Sequence, residues 1–382
     1  VKNGIFFISL LILSMAIMNF GLEVNVIYEW KYAEFEWESQ EQKETAINSG
    51  TYNPNTSLLV DATKADDGRL FITATNVFGP GSPATLTTIN NKTGLGGPIL
   101  RPYPDWSWHN GSCIWDGIVN VYRIDIQCNH IIVLDCGKIG LRQICNPKLL
   151  IFNLKDDTLV KTIHLLLDFA TNRTGSGLLI TPLVYIPGKC TQFLNKMLIF
   201  VSDSGGSGLV MYDSSRKRMC RIESDYMKPT DTSFSIAGDN FMFEGGVTSL
   251  TSLAMVKLYY VSISGKEIYK IKIETLLECP NKKAANKHSE LVTKLSSQTV
   301  VIKKSNKNTV ELAQDDEKFQ AIISMKSSYY WDKMTFMSNR FQKYVLNTLN
   351  LSDTNFRYFE MNLSEIQKIM NQHFYVLDFN IF

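Results

Sequence analysis

The chain has 382 residues, 45% hydrophobic and 20% charged, which is globular material long enough for one large domain or two smaller ones and excludes a mainly disordered polypeptide. Its 39 Lys and Arg nearly balance 37 Asp and Glu. No basic field exists to hold a phosphate backbone, so nucleic acid is not an expected partner.

In chain order, Lys2 precedes the apolar run IFFISLLILSMAIM (5–18). That run is too short for a bilayer core of about 30 Å, which takes about 20 residues, and it fits the apolar part of a secretory signal peptide. The sequence predicts a signal peptide over 1–21 and an exported, extracellular chain from about Leu22, with no membrane span once the signal is removed. Six Asn-x-Ser/Thr sequons, at Asn55, Asn91, Asn110, Asn172, Asn350 and Asn362, are candidate glycosylation sites on such a chain.

Seven cysteines contain no Cys-x-x-Cys pair and no Cys/His cluster with zinc spacing, so disulfides are expected and no metal site is. Cys128 precedes one apolar run and Cys145 opens the next, and a hairpin-like return predicts a bridge between them. A second bridge is expected between Cys113 and Cys190. Cys136, Cys220 and Cys279 stay unassigned, and one thiol of the seven must lack a partner.

Four apolar runs, LFITAT (70–75), IIVLDC (131–136), MLIFVSDS (197–204) and LYYVSIS (258–264), start 61, 66 and 61 residues apart. Each is followed by a second run: ATLTTIN (84–90), LLIFNL (149–154), LVMYDS (209–214) and IYKIKI (268–273). Runs of this length joined by Asp67-Gly68, Ser204-Gly205-Gly206 or Ser264-Gly265 are antiparallel strands with turns between them, and their repetition predicts propeller blades. Two sheets packed face to face are the competing arrangement. The apolar runs are expected to be inner blade strands buried on both sides. A last unit is visible at 328–341, but its Tyr329 lies 71 residues beyond Leu258. Between them, 279–317 is polar and Lys-rich, with TVVI (299–302) its one strand-like core. One blade is expected to be shortened.

Signatures of catalysis are absent: no His-Glu-x-x-His, P-loop, EF-hand loop or Gly-x-Ser-x-Gly, and five histidines (His109, His130, His164, His288, His373) scattered singly. Asp135 and Asp203 end corresponding strands, where a carboxylate serves to accept from turn amides. Tyr103, Trp106, Trp108 and Trp115 form an aromatic group that either packs between blades or faces a cation.

RPYPDWSWHNGSCIWDGIVNVYRIDIQCNHIIVLDCGKIG (101–140), SDSGGSGLVMYD (202–213), FSIAGDNFMFEGGVTSLTSL (234–253) and AQDDEKFQAIISMKSSYYWDKMTFMSNRF (313–341) resemble the Yellow / major royal jelly protein family of insects, and the similarity extends over about 24–279 and 311–359. The resemblance implies a secreted, all-β, six-bladed propeller over 22–361, its fifth blade shortened or degenerate, with a C-terminal tail at 362–382. A strand pair and cysteine that such proteins carry before AQDDE are missing here. Within the tail, LSEIQKIM (363–370) has the spacing of a short capped helix.

Some salivary members of the resembled family bind biogenic amines at the propeller mouth. Carried onto this sequence, the resemblance implies Asn339, Phe341 and Ser324 as the ligand-binding set: an amide oxygen for the ammonium, a ring to cover a ring, a hydroxyl to orient it. Asp332 and Asp203 are candidate counter-charges. The expected partner is a small aromatic amine, with no cofactor and no catalytic residue assigned. A melanin-pathway enzyme of dopachrome-conversion type and a bulk secretory or structural glycoprotein are the alternatives.

Overall fold

The computed structural model describes residues 24–109, 111, 113, 117–253, 256–294, 300–303, 309–313 and 315–369. The expected signal peptide, Asn110 and Trp115 lie outside them. After β1 (Asn25–Trp30), the first blade is β2 (Leu58–Lys64), β3 (Leu70–Thr75), β4 (Leu86–Thr93) and β5 (Pro98–Pro102). The second takes β6 (Val121–Gln127) and β7 (His130–Asp135), then, past a small hairpin of β8 (Lys138–Ile139) and β9 (Arg142–Gln143), β10 (Lys148–Asn153) and β11 (Thr158–His164). The third is β12 (Leu179–Tyr185), β13 (Leu198–Asp203), β14 (Gly208–Asp213) and β15 (Arg218–Glu223). A hairpin of β16 (Ser233–Ile236) and β17 (Asp239–Met242) leads to the fourth blade, β18 (Val247–Leu253), β19 (Lys257–Ser262), β20 (Glu267–Lys272) and β21 (Glu290–Lys294). Past the hairpin β22 (Val300–Lys303) and β23 (Thr309–Ala313), the last blade is β24 (Ala321–Ser328), β25 (Lys333–Asn339) and β26 (Phe356–Asn362), with β1 added at its outer edge.

The result is an all-β propeller of five four-stranded antiparallel sheets among the described residues. Pairing β1 with β26, from Asn25 opposite Glu360 to Trp30 opposite Phe356, brings the two ends of the chain into one blade and covers an edge that would otherwise be open. Instead of a further four-stranded sheet between the fourth and last blades, the described residues there form the β22–β23 pair. The polar, Lys-rich composition of 279–317 supplies too little apolar surface to bury more.

The unbroken apolar runs are not the innermost strands. β3, β7, β13 and β19 are the second strand of each sheet, and β3 and β13 are buried along their whole length because neighbouring blades cover both faces. The innermost strands are β2, β6, β12, β18 and β24, which touch one another in sequence from β24 to β2, β6, β12 and β18. They carry polar residues because they line the axis. Each has a register shift near its start, at Leu59/Asp61, Val121/Ile124, Leu179/Pro182, Val247/Ser249 and Ile322/Ser324. A bulge frees one residue from the ladder and re-aims it, so the repeat delivers one such residue per blade to the axis.

The helix Leu363–Ile369 follows β26 directly. Its first amides are held by Asp332 rather than by a Ser364–Gln367 box: Leu363 N donates to the Asp332 carbonyl at 3.0 Å, and Ser364 donates through N and Oγ to the carboxylate at 3.0 and 2.7 Å.

Candidate functional site

Where the innermost strands begin, the second strands end. The pairs Leu58–Thr75, Val121–Asp135, Leu179–Asp203, Val247–Ser262 and Ala321–Asn339 are equivalent in the five blades. These positions ring one mouth of the axis, and the polar member of each pair ties down the backbone around it. Thr75 donates to Asn120 Oδ1 at 2.9 Å and Asn339 donates to the Leu59 carbonyl at 3.1 Å, stitching adjacent blades. Ser262 donates to the Met227 carbonyl at 2.9 Å. Asp135 accepts from the amides of Val119, Asn120 and Gly137 and is ion-paired with Lys148 at 3.1 Å. Asp203 accepts from the amides of Leu178 and Gly206 and is ion-paired with Arg221 at 2.8 Å. Both carboxylates are fully buried and structural.

Inside the mouth lies a cavity of about 70 Å³. Leu58, Val60, Ile180, Ile263 and Ile323 form its aliphatic wall, and Phe243, Phe341 and Tyr122 its aromatic side. The phenyl rings of Phe243 and Phe341 stand at 88° with centroids 5.1 Å apart. Phe241, at the end of the β16–β17 hairpin, adds a third ring 6.2 Å from Phe341, and Asp239 of that hairpin is ion-paired with Lys343 at 2.8 Å. The hairpin thus reaches from the third-to-fourth blade connection onto the last blade, beside Phe341.

At the cavity floor is Arg123, 4% exposed. Its side chain leaves β6 at the bulge and meets oxygens presented by three other innermost strands: Thr181 Oγ1 at 3.0 Å, the Thr248 carbonyl at 3.2 Å and the Ile323 carbonyl at 2.7 Å. Burial pulls its pKa down to about 10, against the attraction of Asp61, so it stays charged at neutral pH. Farther along the axis, Asp61 accepts from Ser324 Oγ at 2.5 Å and from Ile124 N at 3.2 Å, with Lys326 Nζ 3.7 Å away. Lys326 also donates to the Ile124 carbonyl at 3.1 Å.

The sequence-derived set is therefore only partly brought together. Phe341 lines the cavity. Asn339 is buried two residues before it, its Oδ1 without a hydrogen-bond donor among the described residues. Ser324 lies beyond the floor, bonded to Asp61. Asp332 is not available as a counter-charge: it precedes β25 while Asn339 ends it, about 20 Å apart along a seven-residue strand, and its carboxylate is taken by Ser364. Asp203 is at the mouth but already paired with Arg221. The aromatic group divides as well. Tyr103 and Trp108 pack on Phe71 and Phe152 inside the blades, while Trp106 stacks on Trp37 at 5.1 Å.

Three disulfides form with partners different from those expected. Cys113 is bonded to Cys145, Cys128 to Cys190 and Cys220 to Cys279. Cys128 and Cys145 flank opposite ends of β7, about 20 Å of strand apart, so they cannot meet. Cys128 instead joins the second blade to the third. Cys136 is the free thiol, buried in the core beside Tyr122 and Ile180. Burial, with Asp135 adding to it, pushes its pKa up to about 12. The odd cysteine thus sits among the first three blades, away from the β22–β23 sector.

Residues 119–310 and 296–371 match the family described as Major royal jelly protein. The chain belongs to that family. Major royal jelly protein 8 of Apis mellifera is 28% identical, covering 92% of this chain and 93% of that protein. Major royal jelly protein 3 of the same species is 30% identical, covering 92% and 71%. Among solved structures, a hypothetical selenium-binding protein from Sulfolobus tokodaii aligns at TM-score 0.39 with 11% identity, over 84% of this chain and 65% of that one. A streptogramin B lyase aligns at 0.37 with 10% identity, over 80% and 96%.

The functional candidates not legible in the sequence are the polar residues of the innermost strands. Arg123 carried a usable signal. In VYRIDIQ (121–127) it is a cation two residues into a strand, at the bulge where the other blades place Val60, Thr181, Thr248 and Ile323.

Proposed function

We propose that this member of the major royal jelly protein family is an exported, non-enzymatic propeller that holds a small aromatic ligand in the axial cavity beside the β16–β17 hairpin. The observation that carries the reading is the chamber itself: an apolar enclosure at the mouth, with Phe243 and Phe341 at right angles as a site for a ring. A biogenic amine such as serotonin or dopamine is the first ligand class to test. Its ammonium would rely on neutral oxygens such as the Ser204 hydroxyl of the cavity wall, because Asp203 and Asp332 are engaged elsewhere.

Three disulfides suit an oxidising, extracellular compartment, and no helix among the described residues is long and apolar enough to cross a membrane. Asn55, Asn91 and Asn350 are exposed acceptors for glycans, and Asn172 is partly so. Asn362 is tied to Lys333 and Glu365 and is the sequon least suited to one. We take β22–β23 as the remnant of a sixth blade.

Calorimetry with serotonin or dopamine should give a saturable one-to-one heat, and Phe341→Ala should weaken it by about 1 kcal/mol, the loss of one aromatic contact. No heat at high protein concentration removes the reading. Loss of dopachrome absorbance above the uncatalysed rate would favour the enzymatic alternative instead.

A further inference from the structure

The axis holds one buried cation whose charge no carboxylate matches at close range. Among the described residues no acidic oxygen lies within 4 Å of the Arg123 guanidinium, and its hydrogen bonds go to three neutral oxygens. Asp61, the nearest acid along the axis, is occupied by Ser324, Ile124 and Lys326. A guanidinium has five N–H donors and accepts nothing. At the floor of a cavity whose wall is otherwise almost entirely apolar, it repels an ammonium and attracts an electron-rich oxygen, and the low dielectric of the site strengthens both effects.

Size adds a second constraint. Pockets for drug-sized ligands run to about 300–1,000 Å³, whereas this one is about 70 Å³. At under half of the roughly 150 Å³ of a cavity that takes benzene, it admits the oxygen-bearing edge of one ring, with the rest of the ring and any tail in the mouth.

We propose that Arg123 selects the ligand and sets its polarity: the site takes a single-ring aromatic bearing an acceptor oxygen, a phenol or an aryl carboxylate, with that oxygen down on Arg123 and any ammonium outward. The inference rests on the reading that the cavity holds an aromatic ligand, and it names what that reading leaves open. A dopamine-like amine would be bound by its ring hydroxyls first and its ammonium second.

The test is a matched series titrated by calorimetry into the unaltered protein at neutral pH: phenethylamine, tyramine, 4-hydroxyphenylacetate and phenylacetate. Phenethylamine and tyramine differ in the ring oxygen alone. Tyramine is expected to bind at least about tenfold more tightly, the gain of one charge-assisted hydrogen bond. 4-Hydroxyphenylacetate, lacking the ammonium, is expected to retain most of the tyramine affinity. In Arg123→Met, checked for folding by its thermal melt, the gap between tyramine and phenethylamine should close while ring binding persists. Equal affinity of phenethylamine and tyramine for the unaltered protein overturns the inference and leaves the aromatic site standing. Absence of heat with all four and with serotonin overturns both. The ligand series decides the matter even where the Arg123 variant does not fold.

Discussion

Arg123 and Asp61 are neighbours on the same axis, both buried and both from innermost strands, yet they do opposite things. Asp61 is met by a hydroxyl, an amide and an ammonium, so its charge is consumed in holding β2, β6 and β24 together. Arg123 is met by neutral oxygens on one side and by an apolar chamber on the other. A buried charge with a full set of partners is structure; one with charge left over beside a cavity is a candidate for binding.

That contrast can be broken in order of size. Asp61→Ala should cost most, about 3–5 kcal/mol in urea unfolding, since it strands Lys326 near the axis and leaves Ser324 Oγ and Ile124 N without their acceptor. Aromatic-ligand binding by the folded fraction should persist. Arg123→Met should cost less, about 2–3 kcal/mol. The Thr248 carbonyl keeps Thr181 and Ser202 as donors, so only the Ile323 carbonyl is left bare. A larger loss for Arg123 than for Asp61 would reverse the assignment and make Arg123 the structural tie.

An off-axis control sharpens the same comparison under acid. Burial lowers the His109 pKa from 6.5 to about 4, against the hydrogen bond between Nε2 and the Tyr103 carbonyl at 3.0 Å. The unfolded chain therefore binds this proton more tightly than the folded one. The stabilisation is complete above about pH 6.5 and is lost as pH falls toward 4, by about 2 kcal/mol after allowance for the partial exposure of the ring. Urea midpoints across that window should fall in the native protein and flatten in His109→Gln. An unchanged slope in the variant would remove His109 as the source of the acid sensitivity.

Much of the fold was legible because β3, β7, β13 and β19 are sandwiched between blades, and sandwiching leaves a continuous apolar run that shows in a linear sequence. The innermost strands were not. VTSLTSL (247–253) and AIISMKSS (321–328) mix hydroxyls and aliphatics because one side faces the axis, and a mixed strand reads like a loop. The same blindness grouped Asp332 with Asn339: they are seven residues apart in sequence and at opposite ends of β25 in space. Cys128 and Cys145 were paired on the same assumption, that chain proximity survives a strand.

The linear chain determined the kind of module, its repetition about every sixty residues, the weak sector at 279–317 and the supply of cysteines for bridging, because strand length, alternation and turn residues act within a few positions of one another. Only the tertiary structure decided which strand faces the axis, which thiols meet, and that Arg123 of β6 collects oxygens from β12, β18 and β24. Those outcomes depend on pairing β1 with β26 and on packing the blades side by side, which brings together segments separated by whole blades, a distance over which no local preference reaches.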